Sequence, residues 1–145
     1  MHRRTRAALL AATAALLLTA GCADQHPAGH TGTAARPPCE QPPDAVLPHT
    51  AGSLTEAQSG SYCLAVGDQL SVFLTATATA TAAGGRWAPV TSSGPTVLTA
   101  VPADQLTAPI GVTPALFRAR ATGTVQLTSR DGTGRSWRAT VVVGR

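Results

Sequence analysis

Apolar and polar residues alternate with a period of two through most of the chain beyond residue 60. Leu64 and Val66 alternate before a Gly67-Asp68 turn, and Leu70, Val72 and Leu74 alternate with Ser71, Phe73 and Thr75. Trp87 opens a short strand ending at Val90, and Val97 and Leu98 sit in another after Ser92-Ser93-Gly94-Pro95. Phe117, Ala119 and Ala121 alternate with Arg118 and Arg120, and Val125 and Leu127 with Thr124, Gln126 and Thr128. Trp137, Ala139, Val141 and Val143 alternate with Arg138 and Thr140. A period of two sends successive side chains to opposite faces of a strand. Turn signals, among them Gly84-Gly85 and Asp131-Gly132, separate the runs. The pattern predicts an all-β domain over residues 50–145. Its expected architecture is a two-sheet antiparallel sandwich of about seven strands, each sheet with one wet face. The core is expected from Leu70, Val72, Leu74, Trp87, Phe117, Val125, Leu127, Trp137 and Val141.

Thr75 to Ala82 is a run of Thr-Ala dipeptides. Thr suits a strand, but the run has no large apolar side chain to fix its register. It reads as the protruding end of a hairpin closed near Ala83-Gly84-Gly85, with low-complexity drift as the alternative.

The first residues follow a different pattern. Arg3, Arg4 and Arg6 precede an apolar stretch from Ala7 to Ala20, broken only by Thr13 and Thr19. At about 14 residues it is short for a ~30 Å hydrocarbon core but right for a secretory signal. Leu18-Thr19-Ala20-Gly21-Cys22 then resembles the bacterial lipobox, in which small residues precede the cysteine whose thiol takes a diacylglycerol. Residues 1–21 are therefore expected to be a lipoprotein signal peptide, with Cys22 lipidated and the chain held on the extracytoplasmic side of the cell membrane. Residues 22–49 lack apolar periodicity and carry Pro27, Pro37, Pro38, Pro42, Pro43 and Pro48, the composition of a tether. His26 and His30 lie in it four apart, but Pro27 and Gly29 oppose the helix that would make them a metal pair.

Charge and cysteine content sharpen this picture. All 11 basic residues are Arg, and three of them lie in the signal, which has no acid. The mature chain keeps 8 Arg against 7 acids, a formal +1, so the basic character of the precursor is no argument for nucleic-acid binding. Absence of Lys, with abundant Ala, Gly, Pro and Arg, points to a GC-rich genome. With Cys22 lipidated, Cys39 and Cys63 remain; two cysteines in an exported chain read as one disulfide. Two free thiols or a metal pair are the alternatives, and neither cysteine has a His or Cys beside it at ligand spacing.

The chemistry of an enzyme is missing from the pattern. The domain brings His49, no Lys, no Gly-x-Ser-x-Gly, and acids scattered over separate loops: Glu56, Asp68, Asp104 and Asp131. No catalytic residue, metal site, cofactor or small-molecule substrate is expected. Asp68 and Asp131 stand beside Gly in turns, where Asp commonly bonds its own backbone. Binding is the better reading. Arg86-Trp87 and Arg135-Ser136-Trp137 pair a guanidinium with an indole, residue types enriched at interface hot spots. A Trp on a sandwich strand is also the usual core residue, and both readings stay open for Trp87 and Trp137.

The order of these pieces resembles an immunoglobulin-like domain, and more narrowly the chagasin-like family of cysteine-peptidase inhibitors. The residues that carry the resemblance are Val66 to Leu74, Trp87, Phe117 to Leu127 with its Gly123 corner, and Trp137 before the last strand. In that family an Asn-Pro-Thr-Thr-Gly loop precedes the Trp; here the stretch from Thr79 to Arg86 stands in its place. A Gly-rich loop before the Phe corresponds to Pro109 to Pro114, and an Arg-Pro-Trp to Arg135-Ser136-Trp137. The resemblance implies a wedge of three loops at one end of the sandwich, Ala78–Trp87, Thr107–Thr113 and Asp131–Trp137. Gly84, Gly85, Arg86, Trp87, Gly111, Arg135 and Trp137 are its candidate contact residues. The implied function is a membrane-anchored, non-catalytic protein-binding lipoprotein, a divergent peptidase inhibitor. The alternative is a structural or accessory envelope lipoprotein without inhibitory activity. The expected partners are accordingly the membrane, through the lipid anchor, and a peptidase or envelope protein.

Overall fold

The computed structural model describes residues 38–77, 85–102 and 106–145. The signal, Cys22, the tether through residue 37, the Thr-Ala run from residue 78 and Gly84 lie outside the described residues. Eight strands form: β1 (Gly52–Thr55), β2 (Ser61–Ala65), β3 (Gln69–Thr75), β4 (Thr91–Ser92), β5 (Leu98–Val101), β6 (Val112–Ala119), β7 (Gly123–Arg130) and β8 (Ser136–Gly144). They build two four-stranded sheets, β1-β3-β6-β5 and β2-β8-β7-β4, packed as an immunoglobulin-like sandwich.

Both sheets are mixed, which corrects the antiparallel expectation. β1 runs parallel to β3 and β2 parallel to β8, while the other pairs are antiparallel. The first five strands alternate between the sheets, so sequence neighbours there are not spatial neighbours. The chain leaves β1 for the other sheet as β2 and returns as β3 in its original direction, so β1 and β3 pair in parallel. The hairpin end expected from the Thr-Ala run, closed near Ala83-Gly84-Gly85, lies mostly outside the described residues. β3 already has β1 and β6 as neighbours, and Trp87 bridges Asp131 on the other sheet.

Each residue expected in the core is buried, and the cluster they form draws on both sheets. Three further members escape the alternation rule. Leu54 is the only apolar side chain of β1, so no period marks that strand, yet it is wholly buried. Tyr62 and Leu98 likewise sit in short strands. Val66, expected to follow Leu64 inward, is exposed because the strand ends at Ala65. The turn that ends it is the one read from Gly67-Asp68: Gly67 has φ of 100°, and the Asp68 carboxylate accepts from Ala65 N at 2.8 Å.

The chain from Cys39 to Pro43, inside the stretch read as tether, is fastened to the sandwich. Glu40 N donates to Ser61 O and Cys63 N to Glu40 O, a parallel bridge on the outer edge of β2. Ser53 N donates to Pro43 O on the edge of β1. One strap thus covers an edge strand of each sheet, where unpaired backbone would otherwise invite another chain. The Cys39–Cys63 disulfide holds its start. Gly52 is where the strap passes closest: a side chain there would sit 2.5 Å from Pro43 O. Farther on, Val46 N bonds Ser53 Oγ, which shares a 2.7 Å hydrogen bond with buried Ser71 Oγ.

A candidate binding end of the sandwich

The end of β3, the starts of β6 and β8 and the end of β7 lie at one pole of the sandwich. Three sequence segments meet there. Trp87 bridges Asp131, Ala88 N donates to Arg130 O, and Gly132 N to Arg86 O at 3.3 Å. Thr113 Oγ1 donates to Trp87 O at 2.9 Å, and Ala76 N to Gly111 O at 2.8 Å. The segments at 85–87, 109–113 and 131–137 are therefore joined by hydrogen bonds at this end.

Two of the proposed contact residues take the core reading. Trp87 is 5% exposed and Trp137 3% exposed. Each indole N–H is used internally: Trp87 Nε1 donates to Thr75 O at 3.0 Å and Trp137 Nε1 to Gln58 O at 2.8 Å. A large ring whose one polar atom finds a backbone carbonyl is cheap to bury, so both indoles close this end of the core and neither offers a contact face. Gly85 is buried as well. Gly111 acts through the backbone. Its φ of 87° and the Val112 N to Pro109 O hydrogen bond make Pro109–Val112 a turn of the kind that requires a left-handed residue in third place.

Arg86 and Arg135 are both exposed, but Arg135 is already engaged by neighbouring side chains through its guanidinium. Its Nε donates to Asp131 Oδ2 at 2.6 Å, its guanidinium lies 5.2 Å from the Trp87 ring centroid, and its Nη2 reaches Thr77 Oγ1 at 3.4 Å. Asp131 in turn organises the β7–β8 turn. Its Oδ1 accepts from Thr133 N, Thr133 Oγ1 and Arg135 N. Burial pushes the Asp131 carboxyl up, but the hydrogen bonds from Thr133 and Arg135 outweigh it and hold the pKa at about 2 against an ordinary 3.8. The ionised form therefore favours the folded state. Its contribution is complete above about pH 4 and is lost as pH falls through about 2. Asp131→Asn is expected to melt below the parent at neutral pH, and the two melting temperatures are expected to converge between pH 4 and pH 2. A pH-independent gap in thermal melts would contradict this.

A candidate contact residue that the alternation pattern does not single out is Ile110. It occupies the second position of the Pro109–Val112 turn and is fully exposed, unlike the other large apolar side chains of this end. The signal in the sequence was the Ile110-Gly111 pair after Pro109: Gly in third place of a turn pushes the preceding side chain out to its tip. Among the described residues no group of three or more His, Cys, Asp and Glu gathers anywhere.

No protein-family model matches the chain, and no curated protein matches it. Among solved structures it is similar to the cysteine protease inhibitor EhICP2 from Entamoeba histolytica, at 16% identity over 63% of this chain and 93% of that one, with a TM-score of 0.49. It is also similar to the solution structure of Amebosin, at 19% identity over 68% of this chain and 100% of that one, with a TM-score of 0.42. Domains 4 and 5 of the S-layer protein SbsC match at 18% identity and a TM-score of 0.45, over 61% of this chain and 42% of that one.

Proposed function

We propose that this protein is an exported, lipid-anchored and non-catalytic binding module that meets a protein partner with the loop end of its sandwich. The observation that supports this most is Ile110. A branched apolar side chain stands fully in solvent on a turn whose backbone is tied to β3 and, through Thr113, to Trp87. A preorganised apolar anchor loses little freedom on binding, which is the usual character of an interface hot spot. Arg86 adds an exposed guanidinium at the same end. The chagasin-like resemblance supplies the partner class, a papain-like peptidase whose cleft would receive the loops. The lipobox at Thr19 to Cys22 supplies the address, and the Pro-rich stretch after it the tether.

Titration of the mature chain against a papain-like peptidase tests the narrow reading. Inhibition at micromolar concentration or below is expected, weakened about tenfold or more by Ile110→Asp with the melting temperature unchanged. No inhibition at micromolar concentration overturns the peptidase reading and leaves an accessory envelope lipoprotein. Arg135 is unsuitable as a probe, because its removal also frees Asp131. Mass spectrometry of the mature amino terminus tests the anchor: an acylated Cys22 is expected, and an unmodified one removes it.

A further inference from the structure

The outer face of the β2-β8-β7-β4 sheet carries a second feature, which adjoins the loop end and runs from it onto the sheet. An open groove of about 660 Å³ runs between Ala88-Pro89 and the adjoining parts of β7 and β8. Strand register sets its floor: Thr91, Thr128 and Arg138 form one cross-strand row, and Arg130 and Ser136 the next. Thr91 Oγ1 and Thr128 Oγ1 are 3.2 Å apart, so the two hydroxyls already share one hydrogen bond. Arg130 and Arg138 are both exposed and stand diagonally across neighbouring strands. Among the described residues neither makes an ion pair or a side-chain hydrogen bond. The acid nearest in sequence, Asp131, is already neutralised by Arg135. Two unpaired guanidiniums on adjacent strands repel one another, and an anion set between them removes that cost.

We propose that this groove binds a phosphate group carried on a larger molecule. A guanidinium fork matches two oxygens of an oxyanion. A planar carboxylate presents its two oxygens to one side, whereas a tetrahedral phosphate, monoester or diester, presents oxygens in more than one direction, toward both forks and the Thr91, Thr128 and Ser136 hydroxyls. The groove is far larger than a phosphate, and the remaining space, walled by Pro89 and floored by hydroxyls, suits a polar carrier such as a polyol. Phosphate on a free polyol and phosphate in a lipid headgroup share this chemistry. The site uses neither Ile110 nor Arg86, so it stands or falls independently of the peptidase reading.

Calorimetric titration of the full mature chain in nonionic detergent, at low ionic strength, tests the assignment. Glycerol phosphate is the soluble probe. Mixed micelles containing phosphatidylglycerol are the lipid probe, with micelles containing a phosphate-free glycolipid as blank. Binding is expected with one probe or both, weakened about tenfold or more in the Arg130→Gln, Arg138→Gln double variant. Melting temperature should be unchanged, and acetate should not compete. Binding of phosphatidylglycerol micelles alone assigns the phosphate to a headgroup; binding of glycerol phosphate assigns it to a soluble carrier. The Arg118→Gln, Arg120→Gln pair removes the same charge elsewhere and is expected to bind as the parent. Loss equal to that of the first pair would reduce the effect to net charge and overturn the site. So would the absence of binding to either probe, undiminished binding by the first pair, or equal competition by acetate.

Discussion

Phe117→Ala is expected to lower the free energy of unfolding by about 3–5 kcal/mol. Phe117 is 1% exposed and heads the fully buried side chains by volume. It lies in register with Leu70 on β3 and Ala100 on β5, at the middle of its sheet. Its ring faces the second sheet, within a cluster that includes Val125, Leu127 and Trp137. The chain has 2 Phe, 2 Trp and 1 Tyr, so few aromatic rings share the filling of this core. Removing one leaves a cavity that branched aliphatic neighbours, held on two rigid sheets, close only in part. A domain of ordinary stability, about 5–15 kcal/mol, would lose a large share of it. Urea unfolding of the two proteins measures the difference. Phe73 is the internal control: it is only half-buried on the opposite face of β3, opposite Pro114, and Phe73→Ala should cost clearly less. A loss below about 1 kcal/mol for Phe117→Ala would mean that the ring does not fill the space between the sheets.

Replacing Cys39 and Cys63 together by Ser is expected to cost roughly 3 kcal/mol, the chain-entropy value for a loop of this size. The linked residues are 24 apart. The closed loop contains β1, the strap over it and the crossing to β2, so the unfolded chain gains freedom over a whole corner of the fold. Consequences in the native state should be local. Cys63 N and Glu40 N make the bridge hydrogen bonds beside the disulfide, and their amide exchange should rise most. Denaturation of the parent with and without reductant should reproduce the same difference. Equal stability of the two forms would show that the strap holds by its hydrogen bonds alone.

Much of this fold is legible in the amino-acid sequence. The period-two alternation by itself determines which side chains of β3, β6, β7 and β8 face inward, because a pleated strand with one buried face leaves no other assignment. Gly67-Asp68 names its own turn, since only local backbone geometry is at stake. Cys39 and Cys63, the two cysteines beyond residue 22, read as a disulfide pair from their count, and the fold joins them. Alternation says nothing, however, about which strand lies beside which. Strand partners depend on closures between distant segments, whose energy belongs to the whole core, and so the parallel pairs β1–β3 and β2–β8 are decided by the tertiary structure. β1 has one apolar residue and carries no period at all; it is a strand because β3 and the strap flank it. The same limit applies to the binding end. Trp87 and Trp137 have the composition of contact residues, and only the carbonyls of Thr75 and Gln58, brought from elsewhere in the chain, decide that both indoles lie inside. Ile110 is the converse: an apolar residue that none of the described residues covers, because the turn carrying it lies where both sheets end.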